Sequence, residues 1–162
     1  MIYEQLVLRE YLAYRLLHKL TPRSFGVRLM RITYLNTENK TKRVRFGFVI
    51  EENDAVAKRN GMKIANVGLI NAPYAEPNPR YELASVHIRL FKGNCQYDEQ
   101  LQATLRYFHE KKAALYQLID DLDPLKGLSR SAVKSYIDAF YERIETSADV
   151  EKWLIDKCYK AS

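Results

Sequence analysis

The side chains in this sequence that do chemistry elsewhere are thinly spread. Three histidines (His18, His87 and His109) lie far apart, and neither Cys95 nor Cys158 has a histidine near it in sequence. No Gly-x-Ser-x-Gly occurs, so spacing alone reveals no activated nucleophile. Two cysteines 63 positions apart, without a Cys-x-x-Cys pair, do not form a tetrahedral zinc set. The pair has two readings. Cys95 and Cys158 are separate buried thiols, or they form a disulfide that ties the C-terminal tail to the middle of the chain in an oxidising compartment.

Charge says more. Arg43 and Arg45 alternate on one strand, Lys40 and Lys42 stand in the loop beside them, Arg28 lies across the pair, and Tyr34 adds an aromatic ring. Such a face holds phosphates or other anions without sequence preference. The same charges also protect a sheet edge from aggregation. Asp120, Asp121 and Asp123 gather where a long helix must end, against the negative pole of its dipole. That cluster asks for a bound cation or for solvent.

The elements that must position these groups follow from periodicity. Residues 3 to 20 predict a helix with Leu6, Ala13, Leu16, Leu17 and Leu20 on its inner face, stopped near Pro22. Val27 to Tyr34 alternates, as does the run carrying Val44, Phe46, Phe48 and Ile50, and the polar segment from Asn36 to Lys42 joins them into an antiparallel hairpin. Asn53 is expected to cap a short helix through Arg59, with Gly61 ending it. Residues 62 to 82, with Pro73, Pro77 and Pro79, read as an ordered extended loop. Residues 85 to 91 fit a strand or a helix equally.

From Asp98 the pattern turns helical. A long helix to about Asp121 carries Leu101, Leu105, Phe108, Leu115, Leu118, Ile119 and Leu122 inward. Ser129 caps a second helix with Val133, Tyr136, Ile137, Phe140 and Ile144. Thr146 and Asp149 start a third, with Val150, Trp153, Leu154 and Cys158. The fold class is therefore α+β: helix, antiparallel β-hairpin, short helix, long ordered loop and a C-terminal three-helix bundle. It reads as one domain over 1–162, in consecutive parts 1–61, 62–82 and 83–162. The chain has 162 residues with 47% hydrophobic and 28% charged side chains and a formal charge of +6, which suits a folded soluble unit with some bias towards anionic partners. No run approaches the roughly 18 apolar residues of a membrane span. The start, Met1-Ile2-Tyr3-Glu4-Gln5, lacks the basic and apolar regions of a signal peptide, and the compartment stays open.

The stretches 8–15 (LREYLAYR), 28–35 (RLMRITYL), 48–54 (FVIEEND), 68–80 (GLINAPYAEPNPR) and 89–95 (RLFKGNC), together with the terminal helices, resemble bacterial CotH kinase-like (spore-coat kinase-like) proteins. The proline-rich stretch is the most specific of these. The resemblance implies a kinase-like fold and an exported bacterial protein. It places Glu10 on the helix that offers a carboxylate to an ATP-holding lysine, and Glu51 and Glu52 at the crossover that meets adenine. The family's metal is held by an Asp-x-Asp-x-x-Gly motif. Here the glycine is Gly68, and the acid positions fall on Lys63 and Ala65, which do not ligate Mg²⁺ or Mn²⁺. The junction from Gly61 to Gly68 has no room for a catalytic loop, and strands carrying the phosphate-covering loop and the lysine would precede Met1.

Phosphoryl transfer depends on positioning and on charge stabilisation by metal and cationic groups. The expectation is thus a shortened, catalytically inactive kinase-like unit with a binding or scaffold role, with no catalytic or metal residues and no cofactor. ATP with Mg²⁺ or Mn²⁺ is expected only if the lacking segment is restored, as in a fragment of an active metal-dependent phosphotransferase. A third reading is a basic nucleic-acid-binding module. An unnamed protein is the expected partner, ahead of nucleic acid.

Overall fold

The computed structural model describes residues 2–64 and 98–156. The loop beyond residue 64, the ambiguous run 85–91 and both cysteines, with the disulfide reading for Cys95 and Cys158, lie outside the described residues. In chain order the elements are α1 (Ile2–Leu20), β1 (Val27–Leu35), β2 (Lys42–Ile50), α2 (Asn53–Arg59), α3 (Asp98–Asp120), α4 (Gly127–Glu142) and α5 (Ser147–Val150), which runs into a π-helical turn (Glu151–Ile155). The class is α+β, with a two-stranded antiparallel sheet. The chain divides into two compact units, Met1–Ile64 with Lys111–Ser135 and Ala65–Glu110 with Tyr136–Ser162.

In the first unit the hairpin pairs Val27 with Ile50 and Leu35 with Lys42 at its two ends. Opposite residues share a face, so Val27, Leu29, Arg31, Thr33 and Leu35 lie with Lys42, Val44, Phe46, Phe48 and Ile50. That face meets α1. The Phe48 ring packs 5.9 Å from both Tyr11 and Tyr14, and Tyr14 sits edge-on to Phe25 at 6.3 Å. Leu8, Tyr11 and Leu12 are buried, whereas Leu6 and Leu17, expected inside, are 45% and 48% exposed. The inner face of α1 is therefore not the one its leucine count suggests. A polar residue marks the true face: buried Gln5 donates from Nε2 to the Pro124 carbonyl (3.0 Å) and accepts at Oε1 from the Lys126 N–H (2.8 Å). Gln5 thus satisfies two backbone groups of the turn after α3, and an apolar tally reads it as an outward position.

Leu115, Ile119, Leu122 and Leu125 complete this core. Each fully buried leucine or isoleucine contributes about 1.5–3 kcal/mol. The hairpin loop is organised by Asn36, whose Oδ1 accepts from the Glu38 and Asn39 N–H groups at 2.8 and 3.1 Å. The short helix α2 ends as Gly61 predicts. Gly61 takes φ +63°, and the Met62 and Gly61 N–H groups bond back to Ala57 and Lys58 carbonyls at 2.8 and 3.3 Å, a Schellman closure.

Two helix starts differ from expectation. Glu52, not Asn53, precedes the first turn of α2, with φ −70° and ψ 148° and no side-chain cap bond. The second terminal helix begins at Gly127, two residues before Ser129, so Ser129 lies inside its first turn. In the second unit Thr146 caps α5 as predicted, its Oγ1 accepting from the Asp149 N–H at 3.1 Å. Buried Tyr141 donates to the Phe108 carbonyl at 2.8 Å and packs on Phe140, and burial raises its phenol above the ordinary value. Tyr136, one of the residues named for the second terminal helix, is largely exposed.

Candidate functional site

The most densely bonded polar cluster in the first unit lies where α1, β1, β2 and α2 begin or end. Glu51 follows β2, and its N–H continues the ladder to the Gly26 carbonyl at 2.8 Å. Its carboxylate then turns back. Oε2 accepts from the Gly26 N–H at 2.9 Å and from Arg59 Nη2 at 2.7 Å, while Oε1 accepts from Arg59 Nε at 3.3 Å. This is the fork geometry that suits a guanidinium and a carboxylate. A Cβ on Gly26 would stand 3.1 Å from Oε2, so glycine keeps that approach open. Arg59 also donates to the carbonyls of Pro22 and Ser24. The arginine hydrogen bond, followed by the Gly26 N–H, holds the Glu51 carboxyl below its usual range.

His18 and Ser24 extend the cluster. Buried Ser24 donates its single hydroxyl hydrogen to the Thr21 carbonyl (3.0 Å). Its oxygen is left to accept from His18 Nδ1–H at 3.0 Å. Next to this clasp opens a depression of about 510 Å³, lined by His18, Gly26, Val27, Arg28, Val49, Ile50, Glu51 and Arg59. Its strand walls include Val27, Val49 and Ile50, and the Glu51–Arg59 pair, Arg28 and His18 bring polar groups to it.

The basic residues named from sequence divide by register. Arg28, Met30, Ile32 and Tyr34 lie opposite Val49, Gly47, Arg45 and Arg43, so three of the five candidates, Arg28, Arg43 and Arg45, share the outer face with Tyr34. Lys42 belongs to β2 rather than the loop and falls on the other face, opposite Leu35. Lys40 stays in the loop, at φ +59°. The outer face is open: Tyr34 is 56% and Val49 47% exposed. Along the outer edge of β2, Glu4 Oε1 accepts from the Phe46 N–H at 3.2 Å, and Arg45 Nη1 donates to the Val44 carbonyl at 2.8 Å. Side chains therefore occupy edge groups that would otherwise invite another strand.

The remaining candidates are placed simply. Glu10 is exposed on α1, and Glu52 is exposed with its carbonyl accepting from the Val56 N–H at 3.1 Å. The acidic end of α3 is answered by the protein itself. Asp120 meets Lys134 at 2.7 Å and Arg130 at 3.7 Å, and Arg130 also donates to the Asp120, Leu122 and Leu125 carbonyls. These are the cations that the helix dipole asks for. Sequence reading missed Arg130 and Lys134 because they approach from the next helix. It also missed Arg59, whose only local signal was an arginine in the last turn of α2. His109 is exposed on α3 and contacts the Ile144 carbonyl through Nε2 at 2.9 Å. Among the described residues no group of three His, Cys, Asp or Glu side chains is arranged to hold a metal ion.

Fold and sites together define an α+β chain whose described helices are none of them long and apolar enough to cross a membrane. Compared with family models, with curated proteins and with solved structures, the chain has no match in any of the three.

Proposed function

We propose that this chain is a kinase-like unit that does not transfer phosphate and acts by binding, as a scaffold or adaptor. The kinase-like part of the reading rests on the resemblance in sequence. The observation that supports a unit without bound nucleotide is the commitment of Glu51. At the crossover where the resemblance puts adenine, its N–H bonds to Gly26 and both carboxylate oxygens are taken by Arg59 and Gly26. Glu52 likewise uses its carbonyl to start α2. The residues expected around a nucleotide and its metal do not fit that group: Glu10 is exposed, and Lys63 stands at an acid position. The test is incubation with ATP and Mg²⁺ or Mn²⁺, following phosphate release and autophosphorylation. No turnover above buffer is expected. Turnover abolished by Glu51→Gln or Asp54→Asn would overturn the reading.

A second reading has one observation in its favour. Tyr3, Leu6 and Leu17 leave an apolar stripe of α1 exposed, as expected if this chain is part of a longer phosphotransferase in which further chain covers that stripe. Sedimentation and thermal melting separate the two. A monodisperse monomer with one sharp transition favours the self-sufficient binding unit, and concentration-dependent association favours the fragment.

A further inference from the structure

We propose that the outer face of the hairpin is a docking strip for an extended acidic segment of a partner protein. This deepens the binding-unit reading and rests on it. The face carries three guanidinium groups, Arg28, Arg43 and Arg45, and from the Tyr34–Arg43 pair to the Arg28–Val49 pair the register brings no carboxylate onto it. Among the described residues neither Arg28 nor Arg43 has a hydrogen bond or an ion pair, and Arg45 gives only Nη1 to the Val44 carbonyl. The same unit shows what it does with arginines that hold structure: Arg59 and Arg130 each serve several backbone carbonyls and a carboxylate. The outer arginines are left with donors to spare.

Between the charges lies an apolar floor. Ile32 leans over Gly47, where a Cβ would come within 2.6 Å of its Cδ1, and Met30 and Val49 extend the patch. Same-face residues on a strand recur about every 7 Å. An extended peptide has the same period. Acidic side chains at its positions i and i+2 therefore meet Arg43 and Arg45, an apolar one at i+4 meets Met30 and Ile32 over Gly47, and an acidic one at i+6 meets Arg28. Beyond Arg28 and Val49 the same face ends at Gly26 and Glu51, whose carboxylate is already taken by the Gly26 N–H and Arg59.

Charge and shape choose this occupant over two others. A second copy of the chain also carries +6, so self-docking is opposed by repulsion. Single-stranded nucleic acid draws much of its affinity from successive aromatic platforms for its bases, and Tyr34 is the one aromatic residue on this face.

The test is fluorescence anisotropy of the intact chain with a labelled peptide, Gly-Asp-Ser-Asp-Ser-Leu-Ser-Asp-Gly. The comparison probes are the same peptide with asparagine for aspartate and an oligothymidylate. Saturable binding of the aspartate peptide is expected. It weakens about fivefold or more with Arg28→Glu or Arg43→Glu and further with both, because reversal replaces attraction by repulsion. Arg106→Glu, a charge-matched change in the other unit, leaves it unchanged. Both hairpin positions are exposed, so the variants keep the parent melting curve, which is checked alongside. The proposal is overturned if the aspartate peptide fails to bind by about 1 mM, if the asparagine peptide binds as tightly, or if reversal has no effect. Tighter, arginine-dependent binding of the oligothymidylate would make this a nucleic-acid surface instead. A dimer lost on Arg43→Glu would make it a self-interface. Failure here with no ATP turnover removes only the partner, whereas ATP turnover removes the binding-unit reading whatever the peptide does.

Discussion

The clasp at the α2 end of the hairpin and the outer face of its strands treat arginine in opposite ways. At the α2 end, Arg59 is spent on structure, with its donors distributed over Glu51 and the carbonyls of Pro22 and Ser24. On the outer face Arg28 and Arg43 point at nothing among the described residues. The difference is one of geometry rather than composition. Where three chain segments converge, backbone carbonyls without ladder partners need donors, and a guanidinium supplies several at once. On a sheet face the backbone groups point along the sheet, so a charged side chain reaches an edge carbonyl, as Arg45 does at Val44, or finds its partner from outside.

The contrast can be broken from the packing beneath it. Leu8→Ala empties a fully buried site on α1 under the hairpin and should cost about 2–5 kcal/mol in urea unfolding. A smaller loss would mean that α1 does not hold the sheet. Gln5→Ala strips partners from the Pro124 carbonyl and the Lys126 N–H and should cost about 1–3 kcal/mol by the same measurement. Arg59→Met should lower the melting temperature clearly, and Arg43→Met should not; equal effects would erase the distinction.

Acid sharpens the same point. Glu51 is held below the usual carboxylate range by Arg59 and then Gly26. Its contribution is complete above the unfolded-state value and is lost as pH falls through the lowered folded value. The melting temperature of the parent should therefore fall more steeply in acid than that of Glu51→Gln. Coincident acid limbs would show that the pair is not structural. The smallest effect is reserved for the open face, where Arg28→Ala should change stability by no more than about 0.5 kcal/mol.

What the sequence made legible was local. Alternation marked both strands and their pairing, Gly61 marked the end of α2, and Thr146 with Asp149 marked the start of α5. The inner face of α1 was misread because the helix carries two apolar stripes, and the buried one includes a glutamine whose partners are more than a hundred residues away. Glu51 stood out from a resemblance, but its partner did not, since Arg59 reaches it only after the chain has turned through α2. The same limit hid Arg130 and Lys134 from the acidic end of α3. Three of the five basic candidates came together because strand period alone fixes the face, and Lys42 fell away because one residue of register reverses it.

Amide chemical-shift mapping of the intact chain, titrated in turn with MgATP and with the aspartate peptide, tests both halves of this contrast in one measurement. A structural clasp beside a binding face predicts peptide-dependent shifts over residues 28–34 and 43–49, with Gly26, Glu51 and Arg59 unmoved by MgATP. Saturable MgATP shifts centred on Glu51 and Glu52, with the outer strand residues silent to the peptide, would contradict it and make the crossover a nucleotide site.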